Sequence, residues 1–212
     1  MGNILGKSKT QNIGEKDVIV FVVGPTGAGK SRLIGAVDKD RGTSRNAQGL
    51  APSTKDVQAW TYTFERIPDN IVLVDTPSFH TDHDDADAES VMRKWIQSNV
   101  PAQCRRSGIL YLHNLARNPE DNDQLIRRHL DTFTRTFPNG HCVPSFVYVV
   151  PTIQGLKPGA TVERHFPKLQ AAVNSLSANW KASMSSERFQ NESSIACDAV
   201  RHLRQVIVSR AG

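Results

Sequence analysis

The sequence predicts an α/β fold of three layers, in which helices cover both faces of a mostly parallel sheet with one antiparallel strand. The run Asp17–Val23 is apolar and β-branched without alternation, which is typical of a strand buried on both faces. Further short apolar runs alternate along the chain with stretches of helical periodicity. Ala59–Ile67 and Ile71–Val74 are separated only by Pro68-Asp69-Asn70, which predicts an antiparallel hairpin.

Length and composition favour a single globular domain. The chain has 212 residues, of which 38% are hydrophobic and 22% charged, and this composition allows a substantial core. The longest apolar runs, Val18–Val23 and Phe146–Val150, are much shorter than the about 20 residues that a membrane span needs. Three widely spaced cysteines exclude a disulfide framework and a CxxC zinc site. We therefore expect an intracellular, cytoplasmic protein whose formal net charge of +5 tolerates anionic partners.

The remaining elements are predicted in chain order. Residues 1–16 are polar, contain glycine and lack periodicity, which predicts a flexible N-terminal arm before a domain over residues 17–212. A helix is expected from Lys30, a loop over 41–58, the hairpin, an acidic loop over 77–87, a helix over Ala88–Ser98, a strand over Gly108–His113, a helix over Pro119–Phe137, a strand over Phe146–Val150 ended by Pro151, and helices over about 161–182 and 194–209.

Residues 24–31, GPTGAGKS, match the phosphate-loop pattern G-x-x-x-x-G-K-[ST] in full, after a buried strand and at a helix start. Glycines let successive main-chain N–H groups point at phosphate oxygens, and the helix N-terminus adds partial positive charge. Lys30 can bridge the β- and γ-phosphates, and the Ser31 hydroxyl can ligate Mg²⁺. The predicted nucleotide-binding residues of this loop are Gly24, Thr26, Gly27, Ala28, Gly29, Lys30 and Ser31.

A second candidate element ends in a carboxylate. The apolar run Ile71–Val74 is followed by Asp75, at the carboxyl end of a buried strand, where it can hold Mg²⁺ through water. Asp75 lies 44 residues after Ser31, and the hairpin lies between them. Many small P-loop kinases insert helices in this interval, so by analogy the hairpin favours the GTPase-type arrangement of the P-loop NTPase fold.

Five stretches of the chain carry a resemblance to a known family. They are GPTGAGKS at 24–31, GLAPSTKDVQ at 49–58, VLVDTPSF at 72–79, GILYLH at 108–113 and RFQNESS at 188–194. The chain resembles the fungal G-domain proteins related to the immunity-associated and septin-like GTPases, and the stretches occur in the family's order over nearly all of residues 17–209. The phosphate loop is general to a superfamily, whereas GILYLH and STKDVQ are more specific to the family.

The resemblance implies a guanine-nucleotide-binding switch or assembly module that hydrolyses GTP slowly with Mg²⁺. Thr54 would be the switch I threonine, which reaches Mg²⁺ and the γ-phosphate, and Asp75 the outer-shell Mg²⁺ ligand. Residues 77–87 would form switch II, which γ-phosphate contacts order and hydrolysis releases.

Three positions depart from the family's pattern. Ser78 replaces the glycine of Asp-Thr-Pro-Gly, and at a position of positive φ a serine would cost on the order of 1 kcal/mol. The loop over 150–155 lacks the Lys and Asp of the guanine-reading motif [NT]-K-x-D, which leaves base specificity open; Thr152 and Gln154 are its candidate nucleotide contacts, Gln154 through its side-chain carbonyl. No glutamine follows Ser78 to orient water, so we expect slow hydrolysis, with His80 as the candidate catalytic residue.

The sequence indicates few partners. Related GTPases pair across the nucleotide face, so a homodimer could complete the site, and the effector protein is unknown. Arg105-Arg106 and Arg127-Arg128 lack interleaved aromatic residues and a nucleic-acid module, so no nucleic acid is expected to bind. The N-terminus resembles a myristoylation start except at Gly6, where Ser or Thr is preferred; peripheral membrane binding is expected only if Gly2 is acylated.

Two other functions stay open on the residues alone, and with them the question of whether the chain is an enzyme. The missing guanine motif is compatible with an ATP-dependent kinase or ATPase. Ser78 and the altered base loop are compatible with a degenerate, non-hydrolysing G domain that serves as an interaction scaffold. Nucleotide titration followed by a turnover assay distinguishes these functions from a slow GTPase.

Overall fold

One sheet of seven strands, flanked by five helices, makes up the part of the chain that the computed structural model describes: residues 4–9, 13–39, 56–79, 85–116, 122–155, 163–176 and 180–211. The strands are β1 (Ile4–Lys9), β2 (Val18–Val23), β3 (Gln58–Phe64), β4 (Ile71–Asp75), β5 (Ser107–Asn114), β6 (Phe146–Thr152) and β7 (Lys181–Met184). The helices are α1 (Lys30–Lys39), α2 (Asp85–Asn99), α3 (Asn122–Arg135), α4 (His165–Leu176) and α5 (Ser193–Ala211). None of these five helices has the length and apolar character that crossing a membrane requires.

Six of the seven strands point in the same direction. The order across the sheet is β1-β3-β4-β2-β5-β6-β7, and each neighbouring pair from β4 to β7 is parallel. β3 pairs antiparallel with both of its neighbours, β1 and β4, and is therefore the reversed strand. The predicted α/β fold with a mostly parallel sheet and one antiparallel strand is confirmed, as is the hairpin formed by β3 and β4.

Each face of the sheet carries its own hydrophobic core. In β2, Ile19 and Phe21 pack on the face that α2, α3 and α4 cover, whereas Val20 and Val22 pack on the face that α1 and α5 cover. All of these side chains are fully buried. An apolar run without alternation thus forms a strand covered on both sides, as its sequence predicts.

The carboxyl ends of four parallel strands meet at one edge of the sheet. β2 ends at Val23 between β4 and β5, which end at Asp75 and Asn114, and β6 ends at Thr152 beside β5. From β2 the chain runs through α1 and β3 to β4 on one side of β2, and from β4 it crosses through α2 to β5 on the other side. Such a divergence at the carboxyl ends of parallel strands is where open α/β sheets bind ligands.

The first strand corrects the prediction of a flexible arm over residues 1–16. Ile4–Lys9 forms β1 and pairs with β3, from Ile4 opposite Phe64 to Lys9 opposite Trp60. β1 lies at the edge of the sheet and is held by main-chain hydrogen bonds to β3, which is far away in sequence. Such a strand can form without an alternating hydrophobic pattern, so its own sequence does not predict it. The extent of the domain, residues 17–212, stays a prediction.

The second edge of the sheet also differs from the prediction. The helix expected over 161–182 ends at Leu176, and Lys181–Met184 forms β7, a short strand parallel to β6. Four residues with a single large apolar side chain give no strand signal in the sequence. Main-chain pairing with β6 therefore determines this element.

β6 continues through Pro151 to Thr152, whereas the sequence predicted that Pro151 ends the strand. The Pro151 carbonyl accepts a hydrogen bond from the Phe189 N–H at 2.8 Å. Because N and C=O of one residue point to the same side of a strand, the Pro151 nitrogen faces the side where β7 has already ended at Met184. The missing N–H therefore costs no hydrogen bond of the sheet.

Asp69 joins the hairpin turn to β5 and α5 at the amino-terminal edge of the sheet. Its side chain is 14% exposed, and its carboxylate accepts hydrogen bonds from Arg106 at 2.6 Å and from Arg204. Burial by itself raises the pKa of Asp69, but the hydrogen bonds and charges of Arg204 and Arg106 outweigh burial and hold that pKa below its usual value.

The Asp69→Asn substitution is expected to lower the free energy of unfolding by about 1–2 kcal/mol at pH 7. Because the pKa of Asp69 is lower in the folded than in the unfolded chain, its stabilisation is complete above about pH 4 and is lost as the pH falls through the folded-state pKa. Urea unfolding of both proteins at pH 7 and pH 3 measures this. Asp198→Asn, which removes a more exposed partner of Arg201, is the control with a smaller effect. A difference that stays constant between the two pH values would contradict the expectation.

Candidate phosphate-binding site

The loop between β2 and α1 lies at the carboxyl edge of the sheet, and glycines determine its shape. Gly24 has a φ of 153°, and a Cβ atom on it would lie 2.5 Å from the main-chain oxygen of Leu112 in β5. Gly29 has a φ of 97°, which residues with a side chain rarely adopt. The loop requires glycine at these two positions because it turns tightly and passes close to β5.

Lys30, the first residue of α1, folds back over the loop that precedes it. Its Nζ donates hydrogen bonds to the main-chain oxygen of Gly24 at 2.8 Å and to Oγ of Ser78 at 2.6 Å. The residue is only 6% exposed. Burial lowers the pKa of Lys30 to about 8, against the opposing effect of the Asp75 carboxylate. The ammonium is therefore the main form at neutral pH and can attract an anion.

Two oxygen atoms suited to a divalent cation meet beside this lysine. Ser31 Oγ donates a hydrogen bond to Asp75 Oδ2 at 2.9 Å, and Asp75 is 3% exposed at the end of β4. The next residue, Thr76, fixes this strand end because its Oγ1 donates to the main-chain oxygen of Val22 at 2.8 Å. A hydroxyl and a carboxylate are the hard oxygen ligands that Mg²⁺ prefers, so these two predicted metal ligands fit that ion.

Side chains from β5 and β6 brace the loop from the sheet. Thr152 Oγ1 donates a hydrogen bond to the main-chain oxygen of Ala28 at 2.9 Å. Asn114 Nδ2 donates to the main-chain oxygens of Gly27 at 3.1 Å and Gln154 at 3.0 Å. These bonds turn the carbonyls of Gly27 and Ala28 toward the sheet and connect the loop to the segment after β6.

Gln154, the candidate contact for the base, is buried and held by protein neighbours. Its Nε2 donates a hydrogen bond to the main-chain oxygen of Gln190 at 2.7 Å, and its Oε1 accepts one from the Arg32 guanidinium. The side-chain carbonyl predicted to meet the base is thus engaged by Arg32. Reading a base through this carbonyl would require Arg32 to move.

The segment after Asp75 keeps ordinary backbone geometry. Arg66 is the non-glycine residue with positive φ in the described ranges, so the strain considered for Ser78 does not arise in this conformation. The next side chain, Phe79, is buried, with its ring centroid 6.2 Å from that of Phe133 in α3. Phe79 therefore anchors the segment that places Ser78 against Lys30.

The structure brings together the predicted phosphate loop, Asp75 and the candidates at the end of β6. Thr54 and His80 lie outside the described residues, and their roles stay predictions. Sequence reasoning missed the contributions of Asn114 and Arg32. Asn114 satisfies the criterion that selected Asp75, a polar residue at the carboxyl end of a buried strand, and could have been found by it. No sequence signal marks Arg32.

Comparison with known proteins gives a family match. A family model described as 50S ribosome-binding GTPase matches residues 19–137, which is more than half of the chain. This range includes the phosphate loop, Asp75 and Ser78. No curated protein matches the chain in sequence.

Solved structures of nucleotide-bound proteins share the fold. Translation elongation factor SelB from Methanococcus maripaludis, in complex with the GTP analogue GPPNHP, has a TM-score of 0.55 and 14% identity over 94% of this chain and 35% of that chain. A complex of SsGBP with GDP has a TM-score of 0.53 and 13% identity over 94% of this chain and 53% of that chain. A GTP-binding protein from Sulfolobus solfataricus, in complex with GDP, has a TM-score of 0.50 and 13% identity over 90% of this chain and 53% of that chain. The chain spans about a third to a half of the length of these proteins, and identities this low show the fold alone.

Proposed function

Since the chain belongs to the family described as 50S ribosome-binding GTPase, we propose that it binds GTP and GDP and hydrolyses GTP slowly, as a molecular switch or assembly module. The observation that carries the proposal is a glycine loop and a buried Lys30 next to the Ser31–Asp75 oxygen pair. An ammonium and loop N–H groups suit a polyphosphate, and the two oxygens suit its metal ion. The structural neighbours bind GDP or a GTP analogue, which supports this ligand class.

Different residues of the proposed site bind different parts of the ligand. The loop over residues 24–29 would hold the phosphates through the main-chain N–H groups of its residues other than Pro25, and Lys30 would neutralise charge on the β- and γ-phosphates. Ser31 and Asp75, together with Thr54, would hold Mg²⁺, which when bound neutralises charge on the phosphate oxygens. Residues 77–87 would respond to loss of the γ-phosphate.

We expect only modest selectivity for guanine. The loop over 152–155 has no carboxylate where the family's motif places an aspartate, and the carbonyl of Gln154 accepts from Arg32. A hydrogen bond to a charged group is worth roughly 1.5–3 kcal/mol, so its absence removes about ten- to a hundredfold of preference over adenine.

Calorimetric titration of the full chain with the magnesium complexes of GTP, GDP and ATP, followed by a phosphate-release assay, tests the proposal. We expect GTP and GDP to bind more tightly than ATP and GTP to turn over slowly. Tighter binding of ATP than of GTP would favour an ATP-dependent enzyme. Binding of GTP without phosphate release would favour a non-hydrolysing scaffold. Binding of none of the three would overturn the proposal.

The Ser31→Ala substitution is expected to weaken GTP binding about tenfold in magnesium buffer, because it removes an oxygen ligand and an oriented hydrogen bond to Asp75. In excess EDTA the variant and the wild type should bind GTP almost equally. Calorimetry in both buffers measures the effect, and Ser98→Ala, on the exposed side of α2, is the matched control. Equal losses with and without magnesium would show that Ser31 does not act through the metal.

We further propose that a second copy of the chain pairs across the nucleotide face and assists hydrolysis, in which His80 is the candidate catalytic residue. The support is the absence of a water-orienting glutamine after Ser78. Turnover per chain should then rise with protein concentration. Constant turnover over a hundredfold dilution range would remove the homodimer from the proposal.

Within the family, we propose that the chain belongs with the fungal G-domain proteins related to the immunity-associated and septin-like GTPases, on the stretches STKDVQ and GILYLH. We propose a cytoplasmic protein that acts on an effector protein. Membrane attachment would require acylation of Gly2, which lies outside the described residues. Mass spectrometry of the native N-terminus tests that modification.

A further inference from the structure

The hydroxyl of Ser78 makes a side-chain contact with the lysine of the phosphate loop. Lys30 Nζ donates to Ser78 Oγ at 2.6 Å and to the Gly24 main-chain oxygen at 2.8 Å, and Lys30 is almost completely buried. The family's glycine has no hydroxyl, so this contact is a property of the present chain. Phe79, packed against Phe133, keeps Ser78 in place.

We propose that Ser78 is a specificity-determining residue, whose hydroxyl holds Lys30 and thereby favours binding of a nucleoside diphosphate over a nucleoside triphosphate. The inference rests on the proposed function, in which Lys30 contacts the β- and γ-phosphates. It extends that function by assigning to one side chain the relative affinity for the two nucleotide states.

The number of donors on the ammonium explains the discrimination. A lysine ammonium has three N–H donors, of which Gly24 and Ser78 use two. The third is left for one phosphate oxygen, so a diphosphate can bind without breaking either contact. A triphosphate that uses Lys30 at both its β- and γ-phosphates needs two donors, and one protein acceptor must be released.

Ser78 is the acceptor that gives way. The Gly24 oxygen belongs to the main chain of a loop in which a Cβ atom on Gly24 would already clash with β5, and the neighbouring carbonyls are tied to β5 and β6. Releasing that oxygen would mean reshaping the loop. Releasing Ser78 requires only a rotation of its side chain, while Phe79 keeps the main chain of the segment in place. Triphosphate binding thus loses one charge-assisted hydrogen bond that diphosphate binding keeps.

The test compares affinities for GTP and GDP, both with magnesium, in the full-length wild type and in variants at position 78. Ser78→Ala and Ser78→Gly lack the hydroxyl and should raise the ratio of GTP affinity to GDP affinity by roughly tenfold. Ser78→Thr keeps the hydroxyl and should leave the ratio near the wild-type value. Two hydroxyl-free variants are used so that a folding defect in one, detected by thermal unfolding, leaves the other as the test.

A double-mutant cycle assigns the effect to Lys30. In a Lys30→Ala background the Ser78→Ala substitution should no longer change the ratio, because no ammonium is left for the hydroxyl to hold. An unchanged ratio in both hydroxyl-free variants would overturn the inference. So would a reduced GTP affinity in those variants, since the hydroxyl would then bind the phosphate itself. If the wild type binds neither nucleotide, the proposed function fails as well, and this result differs from binding with an unchanged ratio.

Discussion

Lys30→Ala is expected to weaken binding of the magnesium complex of GTP at least about tenfold, because it removes a charge-assisted contact to the phosphates. The effect should be large because Lys30 is buried beside the loop, where the charge is less screened by water than on the surface. Isothermal titration calorimetry of both proteins measures it.

Lys94→Ala is the matched control for this experiment. It removes the same charge from an exposed position on α2, so any effect of net charge on anion binding appears there as well. Unchanged GTP affinity in Lys30→Ala would contradict the assignment of residues 24–31 as the phosphate site. A thermal unfolding curve close to that of the wild type would show that a loss of binding is local.

Phe133→Ala is expected to lower the free energy of unfolding by about 3–5 kcal/mol, since it leaves a cavity in a closely packed aromatic cluster. The Phe133 ring is fully buried, with its centroid 5.2 Å from that of Phe21, 5.4 Å from Phe137 and 6.2 Å from Phe79. These partners come from the strand before the phosphate loop, the turn that follows α3 and the segment after β4. Urea unfolding of the wild type and the variant measures the loss.

Phe166→Ala is the control, because Phe166 in α4 is only half-buried at the margin of the same core. A loss below about 1 kcal/mol in Phe133→Ala would show that the cluster relaxes around the missing ring. Because Phe79 loses its neighbour as well, Ser78 should hold Lys30 less firmly, and the same variant should raise the ratio of GTP affinity to GDP affinity.

The elements that the sequence predicted are those whose signal lies within the element itself. β2 is an uninterrupted apolar run, and the hairpin strands flank a short polar turn. β1 and β7 were missed because both are edge strands that depend on main-chain pairing with β3 and β6. Pro151 was misjudged because its effect depends on which side of β6 still has a neighbour.

In the candidate site, too, features with a local sequence signal could be predicted and features that depend on distant contacts could not. The phosphate loop is one contiguous motif, and Asp75 follows a recognisable strand, so both could be predicted. The contact from Lys30 to Ser78 joins residues 48 positions apart, and the contact from Arg32 to Gln154 joins residues 122 positions apart. Neither pairing follows from spacing in the chain, since each depends on how the strands are ordered in the sheet.

Asn114 and Thr152 hold the carbonyls of Gly27 and Ala28 through hydrogen bonds that form within the folded chain itself. The loop is therefore preorganised, and most of the conformational entropy of its main chain is lost during folding rather than during association. A polyanion that binds at this edge of the sheet requires little conformational change of the loop, which favours a high association rate constant. Loosening either brace should slow association even where every group that touches the ligand is retained.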